Sequence, residues 1–244
     1  MPRGLVVVLV ASSLLTATPA TALPASFYAD ADVRPNGAVA LVGDSLTFAA
    51  WGELPAVFAR KKWGPFQLEA RSGRKINTTL ATATSGVDAV RRIRGGGFDP
   101  ELWIVALGTN DVRSTYDKPG VAAAMVDAMM AEIGPNHDVV WINVYLRDSP
   151  VETNAFNEVL RRAATRHSRL TIADWRSVVV ANPLWVNDDG VHLNLTGSRA
   201  RNEFVARVAL APGCDGEPAG APAANPAMVA VAGAGAPAQR LCHR

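Results

Sequence analysis

Five apolar runs punctuate the chain from Ala38 onward, and segments of helical period separate them. The runs are "AVALV" from Ala38, "FQLEA" from Phe66, "LWIVAL" from Leu102, "DVVWINVYL" from Asp138 and "LTIAD" from Leu170. Apolar runs closed by turn residues are the pattern of strands buried on both faces of a parallel sheet. Between them, Val126, Met129, Met130 and Ile133 recur at i, i+3, i+4 and i+7, as do Phe156, Val159, Leu160 and Ala163. Each set predicts a helix with one buried stripe, its methionines and aromatics filling core rather than holding a cofactor. A last helix is expected after Thr196, burying Phe204, Val205 and Val208.

Strands alternating with helices predict an α/β fold, here a single three-layer α/β/α domain around a five-stranded parallel sheet. Right-handed crossovers leave few topologies, the flavodoxin-like order 2-1-3-4-5 among them. In such a sheet the segments after Val42, Ala70, Leu107, Leu146 and Ala173 leave from carboxyl ends and share one edge, where these folds place their chemistry.

The ends of the chain read differently. In "MPRGLVVVLVASSLLTATPATA", Arg3 precedes an apolar core from Leu5 to Leu15, and Ala20-Thr21-Ala22 is a small-x-small cleavage site. The apolar core is far shorter than the ~20 residues of a spanning helix, so residues 1–22 are expected to be a cleaved signal peptide. Export would make the protein secreted, extracellular or associated with the cell envelope, with no spanning segment in the mature chain. Residues 23–37 read as an irregular lead-in and 38–211 as the domain. Residues 212–244 are rich in Ala, Pro and Gly and lack the large side chains that offset ordering entropy, so a disordered tail is expected. Both cysteines, Cys214 and Cys242, fall in that tail. An oxidising compartment permits a disulfide between them; otherwise they are two free thiols.

Composition narrows the class without identifying it. The 244 residues are 49% hydrophobic and 19% charged, enough for one sizeable core. Formal net charge is +2, and no run of Lys or Arg offers a nucleic-acid surface.

Chemistry enters at the expected strand ends. After the first comes "GDS" with Ser45; after the second, "RSGRK" with Gly73; after the third, "LGTND" with Asn110 and Asp111. Near the end, "NDDGVHLN" sets Asp189 three residues before His192. "GDS" alone is equally a strand-to-helix turn with a serine cap. Acyl transfer through serine needs a nucleophile, a base, a group that orients the base, and oxyanion donors, and these segments hold all four. Of the other histidines, His137 sits in a polar turn, His167 at a helix end and His243 in the tail, which leaves His192 as the base. The α/β-hydrolase elbow Gly-x-Ser-x-Gly is excluded, because Thr47 occupies its second glycine position.

Three blocks in this order, Gly43-Asp44-Ser45, Gly108 to Asp111, and Asp189 to His192, resemble the SGNH hydrolase superfamily, the GDSL-type esterases and lipases. The resemblance spans roughly Ala38 to Leu210. It implies Ser45 as nucleophile, His192 as base, and Asp189 rather than the adjacent Asp188 as the orienting carboxylate. It also implies an oxyanion hole from the Ser45 amide, the Gly73 amide and the Asn110 side chain. The block around Gly73 offers little beyond the glycine. Asp44 and Asp111 are expected to tie their loops through backbone hydrogen bonds. No cofactor and no metal is implied.

The second half, through "DW" at Asp174 and "DGVHL" from Asp189, is also similar to extracellular SGNH domains of peptidoglycan O-acetyltransferases. Those domains work with a membrane-embedded partner, so a separately encoded membrane acyltransferase is an implied partner. Three readings follow: a secreted esterase cleaving small-molecule, lipid or glycan esters of short acyl chains, an O-acetyltransferase acting on glycans, and a non-catalytic binding domain. Tyr145 and Arg147 can meet a substrate head group, or else pack at a strand end and face solvent. Trp185 can wall an acyl pocket or anchor its own loop.

Overall fold

Residues 27–210 are described by a computed structural model. The expected signal peptide (residues 1–22), the tail and both cysteines lie outside the described residues. The strands are β1 Phe27–Asp30, β2 Val39–Gly43, β3 Phe66–Ala70, β4 Leu102–Ala106, β5 Asp138–Ile142 and β6 Leu170–Ala173. The helices are α1 Ser45–Phe48, α2 Leu54–Arg60, α3 Gly86–Gly95, α4 Val112–Thr115, α5 Pro119–Ile133, α6 Pro150–Arg166, α7 Trp175–Val180 and α8 Leu195–Leu210. A 3-10 turn occupies Pro183–Trp185.

The sheet order is β1-β3-β2-β4-β5-β6, and every pairing except β1 with β3 is parallel. The five expected strands thus adopt the order 2-1-3-4-5. A sixth strand corrects the lead-in: Phe27–Asp30 is not irregular but runs antiparallel along β3, with Tyr28 opposite Leu68 and its ring 6.1 Å from that of Phe66.

Period two along β2 divides the core. Ala40 and Val42 face a layer built by α3, α5 and α6, where Val126, Met129, Met130, Ile133, Phe156 and Leu160 are buried. Val39 and Leu41 face the opposite layer of α2, α7 and α8, with Phe58, Trp175, Phe204, Val205 and Val208. Both helical stripes and the last helix therefore bury the residues their spacing selects.

β5 stops sooner than its apolar run. Asn157 on α6 donates to the Val144 carbonyl at 2.9 Å and accepts from the Val144 amide at 3.0 Å, replacing the ladder. Asn143, one residue earlier, turns its side chain to Asp174 and the Arg176 amide beyond β6. The chain consequently leaves the sheet at Asn143, and residues to Leu146 form a loop at the carboxyl edge.

β2 lies between β3 and β4, so the crossover from β2 goes one way and the next goes the other. That switch point is where open parallel sheets leave a crevice at their carboxyl ends, and Ser45 is two residues beyond Gly43.

Candidate active site

At the switch point, Asp44 caps α1 by accepting the Leu46 amide at 3.0 Å, which places Ser45 in the first position of the helix. The turn is tight. A Cβ on Gly43 would stand 2.3 Å from Thr47 Oγ1, so the residue two after the serine requires glycine two before it. On the other side of the crevice, Asp189 and His192 form a self-contained unit. Asp189 Oδ1 accepts the Val191 amide at 3.0 Å and the His192 amide at 2.9 Å, while its Oδ2 lies 2.7 Å from His192 Nδ1. The far nitrogen, Nε2, is 3.0 Å from Ser45 Oγ.

The carboxylate bonded to Nδ1 fixes the tautomer with the proton there, leaving the Nε2 lone pair toward the serine hydroxyl. The Val191 amide, the imidazole and the His192 amide all bond the charged form of Asp189 and draw its carboxyl down to about 2. Asp189 is thus ionised throughout the range in which the imidazole can act as a base. Asp188 is exposed, and its recorded contact is through its backbone carbonyl.

The oxyanion side is built from two tied loops. Asn110 Nδ2 donates to the Arg74 carbonyl at 3.0 Å, which sets the amide beside the Gly73 turn and leaves its second N–H available. Asp111 accepts the Ile76 amide at 3.2 Å, a second tie between the same loops. Gly73 has a φ of +74°, and an added Cβ there would meet nothing within 4 Å. Among the described residues, neither the Ser45 nor the Gly73 amide donates to a loop carbonyl or a side chain. Donors held without a protein acceptor suit an anion that forms only during reaction.

Beneath Gly73 lies an organiser that the sequence did not reveal. Arg74 is 1% exposed. It donates to the Glu69 carbonyl at 2.7 Å, the Glu69 carboxylate at 2.9 Å and the Thr84 carbonyl at 3.1 Å. Arg92 joins the same carboxylate from α3. The loop that carries Gly73 is therefore fixed by a buried ion pair in which Arg74 also uses Nε and Nη1 on backbone carbonyls.

Two further carboxyls are buried behind the nucleophile. Burial pushes Asp44 above its ordinary value, against the opposing pull of Arg201, the Leu46 amide and the Thr109 hydroxyl. Arg201, on α8, is itself buried and donates to Thr47 Oγ1 at 3.3 Å. Burial drives Asp111 up to about 7, opposed by the Ile76 amide and Lys75.

The three residues expected around a substrate have other contacts. Tyr145 packs against the α2–α7–α8 side of the core. Arg147 reaches across to the loop that carries Asp189, donating to the Asn187 carbonyl at 3.2 Å and to the Asp188 carbonyl. Trp185 stacks on Trp175 with ring centroids 6.2 Å apart, and its carbonyl accepts the Asn194 amide at 2.9 Å. Among the described residues there is no cluster of side chains able to hold a metal and no helix long and apolar enough to cross a membrane.

Comparison with known proteins agrees with this architecture. The C-terminal catalytic domain of peptidoglycan O-acetyltransferase A from Streptococcus pneumoniae superposes with a TM-score of 0.56 at 19% identity, covering 72% of this chain and 91% of that one. A lipase/acylhydrolase from Enterococcus faecalis gives 0.56 at 15% identity, covering 70% and 95%. An acetyl xylan esterase from Geobacillus stearothermophilus gives 0.53 at 15% identity, covering 72% and 96%. At these identities the likeness is one of fold. No curated protein sequence matches. The profile of the GDSL-like lipase/acylhydrolase family matches residues 41–200, well over half of the sequence. The chain belongs to that family, the SGNH hydrolases that act on ester bonds.

Proposed function

We propose that this protein is an exported serine esterase that cleaves carboxylic esters of short acyl chains. One observation carries the reading: a single imidazole bridges Ser45 Oγ at 3.0 Å and the Asp189 carboxylate at 2.7 Å. Ser45 Oγ attacks the acyl carbonyl as His192 Nε2 takes its proton. The carbonyl oxygen becomes an oxyanion received by the Ser45 and Gly73 amides and the free N–H of Asn110. Collapse expels the alcohol, to which His192 returns the proton, and leaves Ser45 acylated. Water, deprotonated by His192, then attacks the acyl group; collapse breaks the bond to Ser45 Oγ, releases the carboxylic acid and returns the proton from His192 to the serine. Asp189 holds the imidazole and balances its charge without taking a proton.

A second reading replaces water with a sugar hydroxyl, which makes the protein an O-acetyltransferase served by a separate membrane acyltransferase. The likeness of the second half, Asp174-Trp175 and the loop from Asp189, to glycan O-acetyltransferase domains favours it. Turnover of p-nitrophenyl acetate, butyrate and octanoate, beside Ser45→Ala, separates the readings. Serine-dependent turnover fastest on acetate supports the short-chain esterase, and a preference for octanoate refutes the chain-length claim. A burst equal to the enzyme concentration followed by silence supports the transferase. Full activity in Ser45→Ala overturns both.

A further inference from the structure

The Asp189–His192 unit is bound to itself, but little in its own loop fixes it relative to Ser45. Its internal bonds run from Asp189 to the Val191 and His192 amides and to the His192 ring. The Asn187 amide donates to the His192 carbonyl at 2.8 Å, closing the same turn. Ser45 comes from the other end of the sequence, so the 3.0 Å contact between the two requires something that spans the crevice.

Arg147 ties the turn ahead of His192 to the loop after β5. Its amide donates to the Gly190 carbonyl at 2.8 Å. Its guanidinium donates to the Asn187 carbonyl at 3.2 Å and to the Asp188 carbonyl, while Nε is held at 3.1 Å by Asp148. Three of the four carbonyls from Asn187 to Gly190 are taken: those of Asn187 and Asp188 accept the fork, and that of Gly190 accepts the backbone amide. The approach is close enough to constrain Gly190, whose φ is +73° and whose missing Cβ would lie 2.7 Å from Asp148 Oδ2. Arg147 in turn stands on the loop that Asn143 and Asn157 divert from β5.

We infer that Arg147 is a positioning residue that latches the Asn187–Gly190 turn and so sets the distance of His192 from Ser45, rather than a residue that binds substrate. The inference rests on the serine-esterase reading. A planar fork supplies two parallel donors to two carbonyls; an ammonium is a point charge and does not reproduce that geometry. Displacement of a reacting group by about 1 Å costs on the order of 100-fold in rate. Arg147→Met is therefore expected to lower kcat by about that factor with KM nearly unchanged, and Arg147→Lys to restore little of it.

The test measures kcat and KM on p-nitrophenyl acetate for wild type, Arg147→Met and Arg147→Lys, beside two observations that do not need turnover. The first is the downfield proton resonance of His192 Nδ1–H, which should persist in Arg147→Met because Asp189 remains attached to its own loop. The second is amide hydrogen exchange over 187–192, which should quicken in that variant. A latch predicts lower kcat and faster exchange together with an unchanged His192 resonance. A rise in KM at constant kcat would show a substrate contact and overturn the inference. Full activity in Arg147→Lys would assign the effect to charge and overturn the fork. If wild type hydrolyses no ester, the esterase reading fails by itself; unchanged exchange over 187–192 in Arg147→Met would refute the latch independently. Gly190→Ala, strained at a positive φ, should reproduce the faster exchange with Arg147 intact.

Discussion

Replacing Asp111 by Asn should make the protein more stable, and only above a definite pH. Asp111 is fully buried between the loops after β3 and β4, and burial raises its carboxyl from 3.8 to about 7. In the unfolded chain the group titrates near ~3.9. Between those values the folded protein keeps a proton that the unfolded chain has lost, so stability falls as pH rises through the window. Below it the acid is neutral in both states and behaves much as the amide would. The interval is roughly three pH units at about 1.4 kcal/mol each, so ionisation costs the wild type on the order of 4 kcal/mol above pH 7. Asparagine keeps an oxygen for the Ile76 amide and never ionises. Urea denaturation of both proteins from pH 4 to pH 8.5 isolates the effect, since other titrating groups cancel in the difference. The two stabilities should coincide near pH 4 and diverge up to pH 7, with the variant ahead and the gap then constant. A difference independent of pH would refute the reasoning, because it would mean that Asp111 ionises alike in both states.

Asn110→Ala should lower kcat by about 100- to 1000-fold and leave KM close to wild type, since its free N–H meets charge that exists only in the transition state; a change confined to KM would contradict this. Asp189→Asn should reduce kcat by about 10⁴-fold while the fold survives, because the amide cannot hold the Nδ1–H tautomer. The Asp189 carboxyl titrates at about 2, so its protonation should contribute no loss of wild-type activity between pH 4 and pH 6. Its pairing contributes stability above its unfolded value that is lost only as pH falls toward 2, which acid denaturation of wild type and Asp189→Asn would compare.

The parts of this structure written as repeating patterns were legible. All five parallel strands are apolar runs, and the buried stripes of α5 and α6 follow helical spacing, so periodicity alone located them. Strand β1 escaped because Phe27–Asp30 is four residues long, packs one face and lies among Asp and Ala. The end of β5 escaped because side chains of Asn157 and Asn143 cut short an apolar run that continues to Leu146. At the site, Ser45 and His192 were readable from their segments and Asp189, over Asp188, from the family resemblance; the structure brings the three side chains together. Three arginines were not readable. Arg74 and Arg201 drew no reading from the sequence, and Arg147 read as a substrate contact or a solvated cation, yet the first two are buried and the third grips backbone carbonyls. A buried charge depends on partners that only the tertiary fold supplies, here Glu69 from β3, Thr47 from α1 and Asn187 from a loop some 40 residues away.

Catalysis as proposed requires Ser45 to carry an acyl group. Its most direct test is to quench wild type and Ser45→Ala seconds after mixing with p-nitrophenyl acetate, digest them, and locate any added acetyl by mass spectrometry. An acetyl on the peptide containing Ser45, absent from the variant and decaying as product forms, is the predicted result. Ester turnover with no adduct there, or an adduct that survives in Ser45→Ala, would contradict it.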